Sequence, residues 1–284
     1  MAKHHAEQEE EKHLHEQTVL LTLTNRLLSH STLEDVMSYL VEEVVRLLDV
    51  DACALLLPAS SPSFPGWQVT DLYRPARQVG GDLYDYFVLP DGGHRLGLVI
   101  GDVAGQGVPA ALFMATSRTL IRSAALADLT PGSTLSEANK LILQDSPSEL
   151  FLSAFYGILD TRTGTLNYAN AGHNPPLLYQ QTRGDFLELR ARGILLCVRN
   201  RISLEEKSAT LDHNDILVLY TDGVTEAMNR QGEEFGVDRL RQGIAAHAEE
   251  SASQILYGIV EAIDSFIGET EQPDDLTLVV AKRL

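Results

Sequence analysis

The chain is poor in cysteine and tryptophan, short of basic residues and without a long apolar run. Its two cysteines, Cys53 and Cys197, stand far apart in sequence. They form neither a disulfide framework nor a zinc-ligand spacing, which predicts a protein of the reducing cytoplasm. Lysine and arginine total 22 against 40 aspartates and glutamates, a formal net charge of -18. So acidic a surface repels phosphate backbones and anionic lipid, and no nucleic-acid or membrane partner is expected. No apolar stretch approaches the roughly 18 residues of a membrane span. The N-terminus is charged from the start and has no signal-peptide core. P-loop, Ser-His-Asp and dinucleotide-binding signatures are missing too: Gly101-Asp-Val-Ala-Gly105 lacks the P-loop lysine and its spacing. What remains is an ordinary globular composition, 284 residues with 44% hydrophobic, enough for one large domain or two small ones.

Two regions differ in pattern. Residues 1–16 are polar, and His4, His5, His13 and His15 read as part of a solvated leader rather than a metal site. From Val19, leucines recur at helical steps up to Ser29, and Val36 to Leu48 give a second broad apolar face behind a Ser31 or Thr32 cap. Asp51–Leu57 reads as a strand, and Pro58–Pro65 as a linker. This helix-helix-strand order resembles the opening of a GAF sensor domain, with too few elements to close a core. Residues 1–66 are therefore expected to form a helical, partly GAF-like regulatory segment that pairs with a second copy, giving a homodimer. Residues 67–284 form the second domain.

In that second domain short strands are expected at 68–74, 82–89 and 96–101, then helices at 108–127 and 133–144. Strands resume at 151–160, 166–171, 185–189, 203–211 and 215–220, followed by helices at 237–248 and 252–267 and a strand at 276–281. Strands, a helix pair, strands and again helices make an α+β order, unlike the βαβ alternation of a parallel sheet.

The chemistry gathers at four acidic positions. Gly80-Gly81-Asp82 precedes a strand, and Gly101-Asp102-Val103 ends one. Thr221-Asp222-Gly223 closes the apolar strand Ile216–Tyr220, and Pro273-Asp274-Asp275 opens the last strand. A single Asp-Gly pair is usually a turn. Four carboxylates at strand ends can converge once sheets form, and converging anions require a neutralising cation. Oxygen donors without a Cys or His cluster favour magnesium or manganese over zinc. Two such ions sharing one aspartate can activate a water for in-line attack at phosphorus.

Residues 75–115 resemble the core of the SpoIIE/RsbU-type bacterial serine/threonine phosphatases, a branch of the metal-dependent protein phosphatase 2C (PPM) superfamily. Further matches are Asn170-Ala-Gly-His-Asn-Pro-Pro176, Leu219–Glu226 and Asp274–Leu278. The resemblance covers about 67–284. It implies a four-layer αββα sandwich, two antiparallel sheets flanked by helices, here with an N-terminal helical extension. It implies hydrolysis of phosphoserine or phosphothreonine on a regulatory protein of the STAS anti-sigma-factor-antagonist type, dependent on Mn2+ or Mg2+, with two ions. Asp102 matches the aspartate bridging both ions, the Val103 carbonyl a main-chain ligand, Asp222 and Asp274 ligands of the other ion, and Asp82 a direct or water-mediated ligand. Asp275 ranks behind Asp274.

Three departures qualify the match. Ala104 stands where eukaryotic relatives carry a proposed general-acid histidine. Gln106 replaces a common Lys or His. The stretch Gly193–Val198 lacks the usual Pro-Leu-Gly turn. A catalytically inactive PPM-fold binding module is the alternative function, and intact acidic positions argue against it. His173 reads as a turn histidine bonding main-chain carbonyls, ahead of a phosphate or acid-base contact. Tyr84, Tyr86 and Phe87 read as packing, and Arg118 and Arg122 as a solvated helix face.

Overall fold

The structure is a computed structural model that describes residues 64–76, 80–90, 93–105, 107–145, 150–270 and 272–284. The proposed N-terminal helices and their dimer, the leader histidines, the 66/67 boundary with its GAF-like strand, Cys53 and Gln106 bear on segments outside the described residues or not wholly within them.

Three strands open the described fold: β1 (Trp67–Arg74), β2 (Asp82–Val88) and β3 (Arg95–Val103). Helices α1 (Gly107–Ala125) and α2 (Pro131–Asp145) follow. Next come β4 (Leu152–Asp160), β5 (Thr165–Ala171), β6 (Leu177–Gln180), β7 (Asp185–Glu188), β8 (Glu206–Thr210) and β9 (Ile216–Tyr220). The short helix α3 (Asp222–Thr225), then α4 (Gly236–Ala246), α5 (Ala252–Ile267) and β10 (Leu276–Arg283) complete it. One sheet runs β1-β10-β9-β6-β7 and the other β2-β3-β4-β5-β8, with antiparallel pairing throughout. The expected α+β sandwich of two antiparallel sheets is what forms.

Strand periodicity explains the layers. In β3, Leu96, Leu98 and Ile100 join the core between the sheets, while Val99 and Val103 face the helices. In β9, Leu217 and Leu219 face inward, and Ile216, Val218 and Tyr220 pack with α4 and α5. Both faces of these two strands are covered, so their central stretches are apolar on both sides instead of alternating. Along the inward face the apolar rows end in polar residues. Asp102 continues the Leu96–Leu98–Ile100 row, and its register partners are Asp82 on β2 and Ser153 on β4. On the other sheet, Thr277 and Asp275 continue the inward row of Val279 and Ala281, and Thr221 that of Leu217 and Leu219.

Several expectations shift. Strand β6 was hidden behind Pro175-Pro176, and α3 has four residues, too few for a periodic signal. Helix α2 starts at Pro131 rather than Ser133. Proline suits the first helical position, and the Gly132 N–H donates to Glu206 of β8 (3.0 Å). Arg118 and Arg122 are not a solvated face: both pair with the buried Asp85 of β2 (3.2 Å each), and Arg122 also lies over the Phe87 ring. Tyr84 and Tyr86 point the other way and donate to Asp71 of β1 (2.8 and 2.6 Å), a link between the sheets. The 193–198 loop is held by Asn139 of α2, which accepts from Cys197 N–H (2.7 Å) and donates to the carbonyl of Arg199 (3.0 Å).

Helix α5 opens with a capping box in which Ser251 and Gln254 satisfy each other's backbone N–H groups. Ser251→Ala is expected to cost about 1 kcal/mol of stability, read by urea unfolding, with no effect on the distant acidic cluster.

Candidate active site

The polar end of the inter-sheet core is the candidate site. Each sheet contributes strand ends to it, and alternation decides which side chains enter. Asp82 is the deepest. It is 4% exposed, and its Oδ2 accepts hydrogen bonds from Thr221 Oγ1 (2.7 Å) and Thr277 Oγ1 (2.5 Å), both on the opposite sheet. The Thr277 N–H in turn donates to Thr221 Oγ1 (3.2 Å). Burial pushes the Asp82 carboxyl up to about 8, aided by the charges of Asp102 and Asp275 and opposed by the two threonines.

Asp102 is half-buried on the same face. Burial raises it to about 7, followed by repulsion from Asp222, Asp274 and Asp275. Asp222, at the start of α3, is raised by burial and by Asp274. Glu226, one turn further, is raised by burial, Asp222, Glu234 and Asp274. The structure therefore brings Asp82, Asp102, Asp222 and Asp274 into one electrostatically coupled group drawn from four sequence regions. They are coupled without being pinched. Among the described residues, no three His, Cys, Asp or Glu side chains close on a common point tightly enough to hold an ion. Like charges at low dielectric keep apart, and Asp82 already spends one oxygen on the threonines.

Asp275 does something different from its neighbour. Its Oδ2 accepts from the N–H groups of Gly81 (2.7 Å) and Asp82 (3.3 Å), and its Oδ1 from Ala76 N–H (2.9 Å). The Tyr73 hydroxyl also donates to it. Asp275 thus latches the Gly80–Asp82 turn to the start of β10. Gly80 is required there, because a Cβ would stand 1.7 Å from Asp275 Oδ2. Gly223 is required for the same reason beneath α3, where a Cβ would meet the Asp275 carbonyl at 1.9 Å. Among the described residues, Asp274 Oδ1 accepts a local bond from Asp275 N–H (2.8 Å) and no other.

His173 is a turn histidine whose ring faces the main chain of Tyr220, in line with the turn reading, but its ring hydrogen bond is to a side chain. Its Nδ1 lies 2.7 Å from Ser153 Oγ, while Asn170 clamps the turn by bonding both the N–H and the carbonyl of His173 (2.7 and 2.9 Å). Sequence reasoning missed Ser153, Thr221, Thr277 and Tyr73. The signal that finds them is strand parity, since each lies on the inward rows that carry Asp82, Asp102 and Asp275.

The family described as Stage II sporulation protein E (SpoIIE) matches residues 92–284. This chain belongs to the SpoIIE family. Among curated proteins, Protein IcfG of Synechocystis sp. is 30% identical over 254 residues, 80% of this chain and 39% of that protein. The phosphoserine phosphatase RsbU of Bacillus subtilis is 28% identical over 89% of this chain and 74% of its own length. The chain therefore spans well under half of the first of these relatives. Among solved structures, the SiaA-PP2C domain of Pseudomonas aeruginosa superposes with a TM-score of 0.67 at 23% identity, covering 76% of this chain and 85% of that one, a likeness of fold. The fold is that of the PP2C phosphatases, and the SpoIIE-family match lies over most of the two-sheet domain. No helix among the described residues is long and apolar enough to cross a membrane.

Proposed function

We propose that this SpoIIE-family chain is a metal-dependent phosphoprotein phosphatase that hydrolyses phosphoserine or phosphothreonine on a regulatory protein. The observation that carries this reading is the coupled set Asp82, Asp102, Asp222 and Asp274 at one end of a PP2C-type sandwich. The RsbU relative, named a phosphoserine phosphatase, supports the reaction class.

The donor set fits a hard dication. Every donor is oxygen, neighbouring carboxylates add to the raised proton affinity of Asp82, Asp102 and Asp222, and the Val103 carbonyl faces the side of Gly81 where a Cβ would stand 3.2 Å from it. Asp102, the Val103 carbonyl, Asp222 and Asp274 would hold Mn2+ or Mg2+, with Asp82 as a direct or water-mediated ligand. When bound, such ions supply an acidified water and charge neutralisation for a phosphoryl group. The chain's own residues set the frame. Thr221 and Thr277 fix the Asp82 carboxylate, Asp275 fixes the backbone leading to it, and the β3–β4 pairing fixes Asp102. The reading extends to a STAS-type anti-sigma-factor antagonist as substrate in the cytoplasm, and to residues 1–66 as the regulatory, dimer-forming segment.

The test is hydrolysis of p-nitrophenyl phosphate and of phosphorylated STAS-domain proteins from the same genome, with manganese and with EDTA. Manganese-dependent release of phosphate is expected from both. A protein inert toward every phosphoester in manganese would refute the proposal. Binding should also stabilise the fold: at about 100 times Kd, manganese is expected to add about 2.7 kcal/mol, visible as a rise in Tm.

A further inference from the structure

We propose that Ser153 is a water-orienting residue of this site and that His173 is a positioning residue, fixing the Ser153 hydroxyl as a hydrogen-bond acceptor beside Asp102. The inference rests on the phosphatase reading for its kinetic consequence and on geometry alone for its hydrogen-bond pattern.

Ser153 is the register partner of Asp102, so the two side chains project from the same face of adjacent strands. Both are only partly buried, which leaves room for water to reach them. The His173 ring, 7% exposed, lies on the far side of the hydroxyl, with Nδ1 2.7 Å from Ser153 Oγ. A neutral imidazole carries one proton, and its location decides the polarity of that contact. The other polar group facing the ring is the main-chain carbonyl of Tyr220. A carbonyl only accepts, and Nε2 makes no hydrogen bond of its own among the described residues. With Nδ1 engaged by Ser153, the negative end of that carbonyl favours the proton on Nε2, and Nδ1 is then the acceptor. Ser153 must then donate its single proton to Nδ1, which leaves only lone pairs on the side facing Asp102.

Burial holds the ring neutral, lowering its pKa to about 4, so the arrangement does not change across the physiological range. The Asn170 clamp and the left-handed Gly172 (φ 77°) fix the turn that delivers the ring. An isolated serine hydroxyl rotates and can either donate or accept. Tied to His173 it can only accept. A water in the space beside Asp102 then donates one hydrogen to Ser153 Oγ and has its lone pairs aimed by that bond.

The experiment combines kinetics with a measurement that needs no turnover. Ser153→Ala is expected to lower kcat for p-nitrophenyl phosphate about 10- to 100-fold, with KM and the manganese-induced rise in Tm unchanged. Ser153→Thr, which keeps the hydroxyl, restores most of the rate. His173→Gln, which withdraws the acceptor from the Nδ1 position, lowers kcat comparably, and the double variant is no slower than Ser153→Ala alone, because the histidine acts through the serine. Losses that multiply in the double variant, or a Ser153→Ala kcat within about 3-fold of wild type, overturn the proposal. In the metal-free protein, 15N-resolved NMR of the His173 ring is expected to show the Nε2–H tautomer, and an Nδ1–H tautomer overturns the proposal whatever the rates. A wild-type protein inert toward phosphoesters would remove the functional reading instead, and the tautomer would still decide the hydrogen-bond pattern.

Discussion

Asp102→Asn is expected to lower manganese-dependent hydrolysis by about 1000-fold or more and, in the same protein, to raise the stability of the metal-free fold at pH 8. The two effects share one cause. Asp102 sits where burial and three neighbouring aspartates disfavour its charge, raising its carboxyl from 3.8 to about 7. A carboxyl raised on folding binds its proton more tightly in the native state than in the unfolded one. The penalty is absent below the unfolded value near 4, grows as pH rises, and is complete above about 7. Asparagine removes the charge and hence the penalty, so the gain should be small at pH 4 and largest at pH 8. Manganese reverses the order, because the wild-type carboxylate then has a cation to neutralise it. Urea unfolding in EDTA at both pH values, repeated in manganese, checks the signs. If Asp102→Asn is no more stable than wild type at pH 8 in EDTA, the acids are not mutually strained. If it retains activity within 10-fold, Asp102 has no central role.

Much of this arrangement was legible because two periodicities are simple. The helices at 107–125 and 252–267 have long helical patterns, and the apolar strand runs before Asp102 and up to Tyr220 each lead into an aspartate beside a glycine. Glycine beside three of the four acidic positions marked close approach, and Gly80 and Gly223 show what approaches: the side chain and the carbonyl of Asp275. What the sequence withheld depended on pairing between strands distant in the chain. Nothing local in Ser153 indicates that it stands across from Asp102, because that follows from β3–β4 register. Nothing local in Arg118 indicates a buried carboxylate beneath it, because Asp85 comes from a strand more than thirty residues earlier. The same holds for Thr221 and Thr277, whose shared partner Asp82 lies on the other sheet. Motif resemblance located the acids, and sheet parity accounts for their supports.

The adjacent aspartates Asp274 and Asp275 provide the second large effect, since they are expected to fail in opposite ways. Asp275→Ala should lower stability by about 3 kcal/mol or more, because it leaves the N–H groups of Ala76, Gly81 and Asp82 and the Tyr73 hydroxyl without their shared acceptor in a largely buried turn. Asp275→Asn should not rescue it. Both carboxylate oxygens accept from N–H groups, so whichever way the amide lies, an NH2 faces a donor. Asp274→Asn, by contrast, keeps an acceptor for its one local bond from Asp275 N–H and should unfold within about 0.5 kcal/mol of wild type in EDTA. It also removes a charge felt by Asp102, Asp222 and Glu226, and is expected to lose manganese-dependent hydrolysis by about 100-fold or more. Urea unfolding and manganese titration of the three variants separate the cases. A stable, manganese-insensitive Asp275→Asn together with an unfolded Asp274→Asn would exchange the two roles, making Asp275 the ligand and Asp274 the latch.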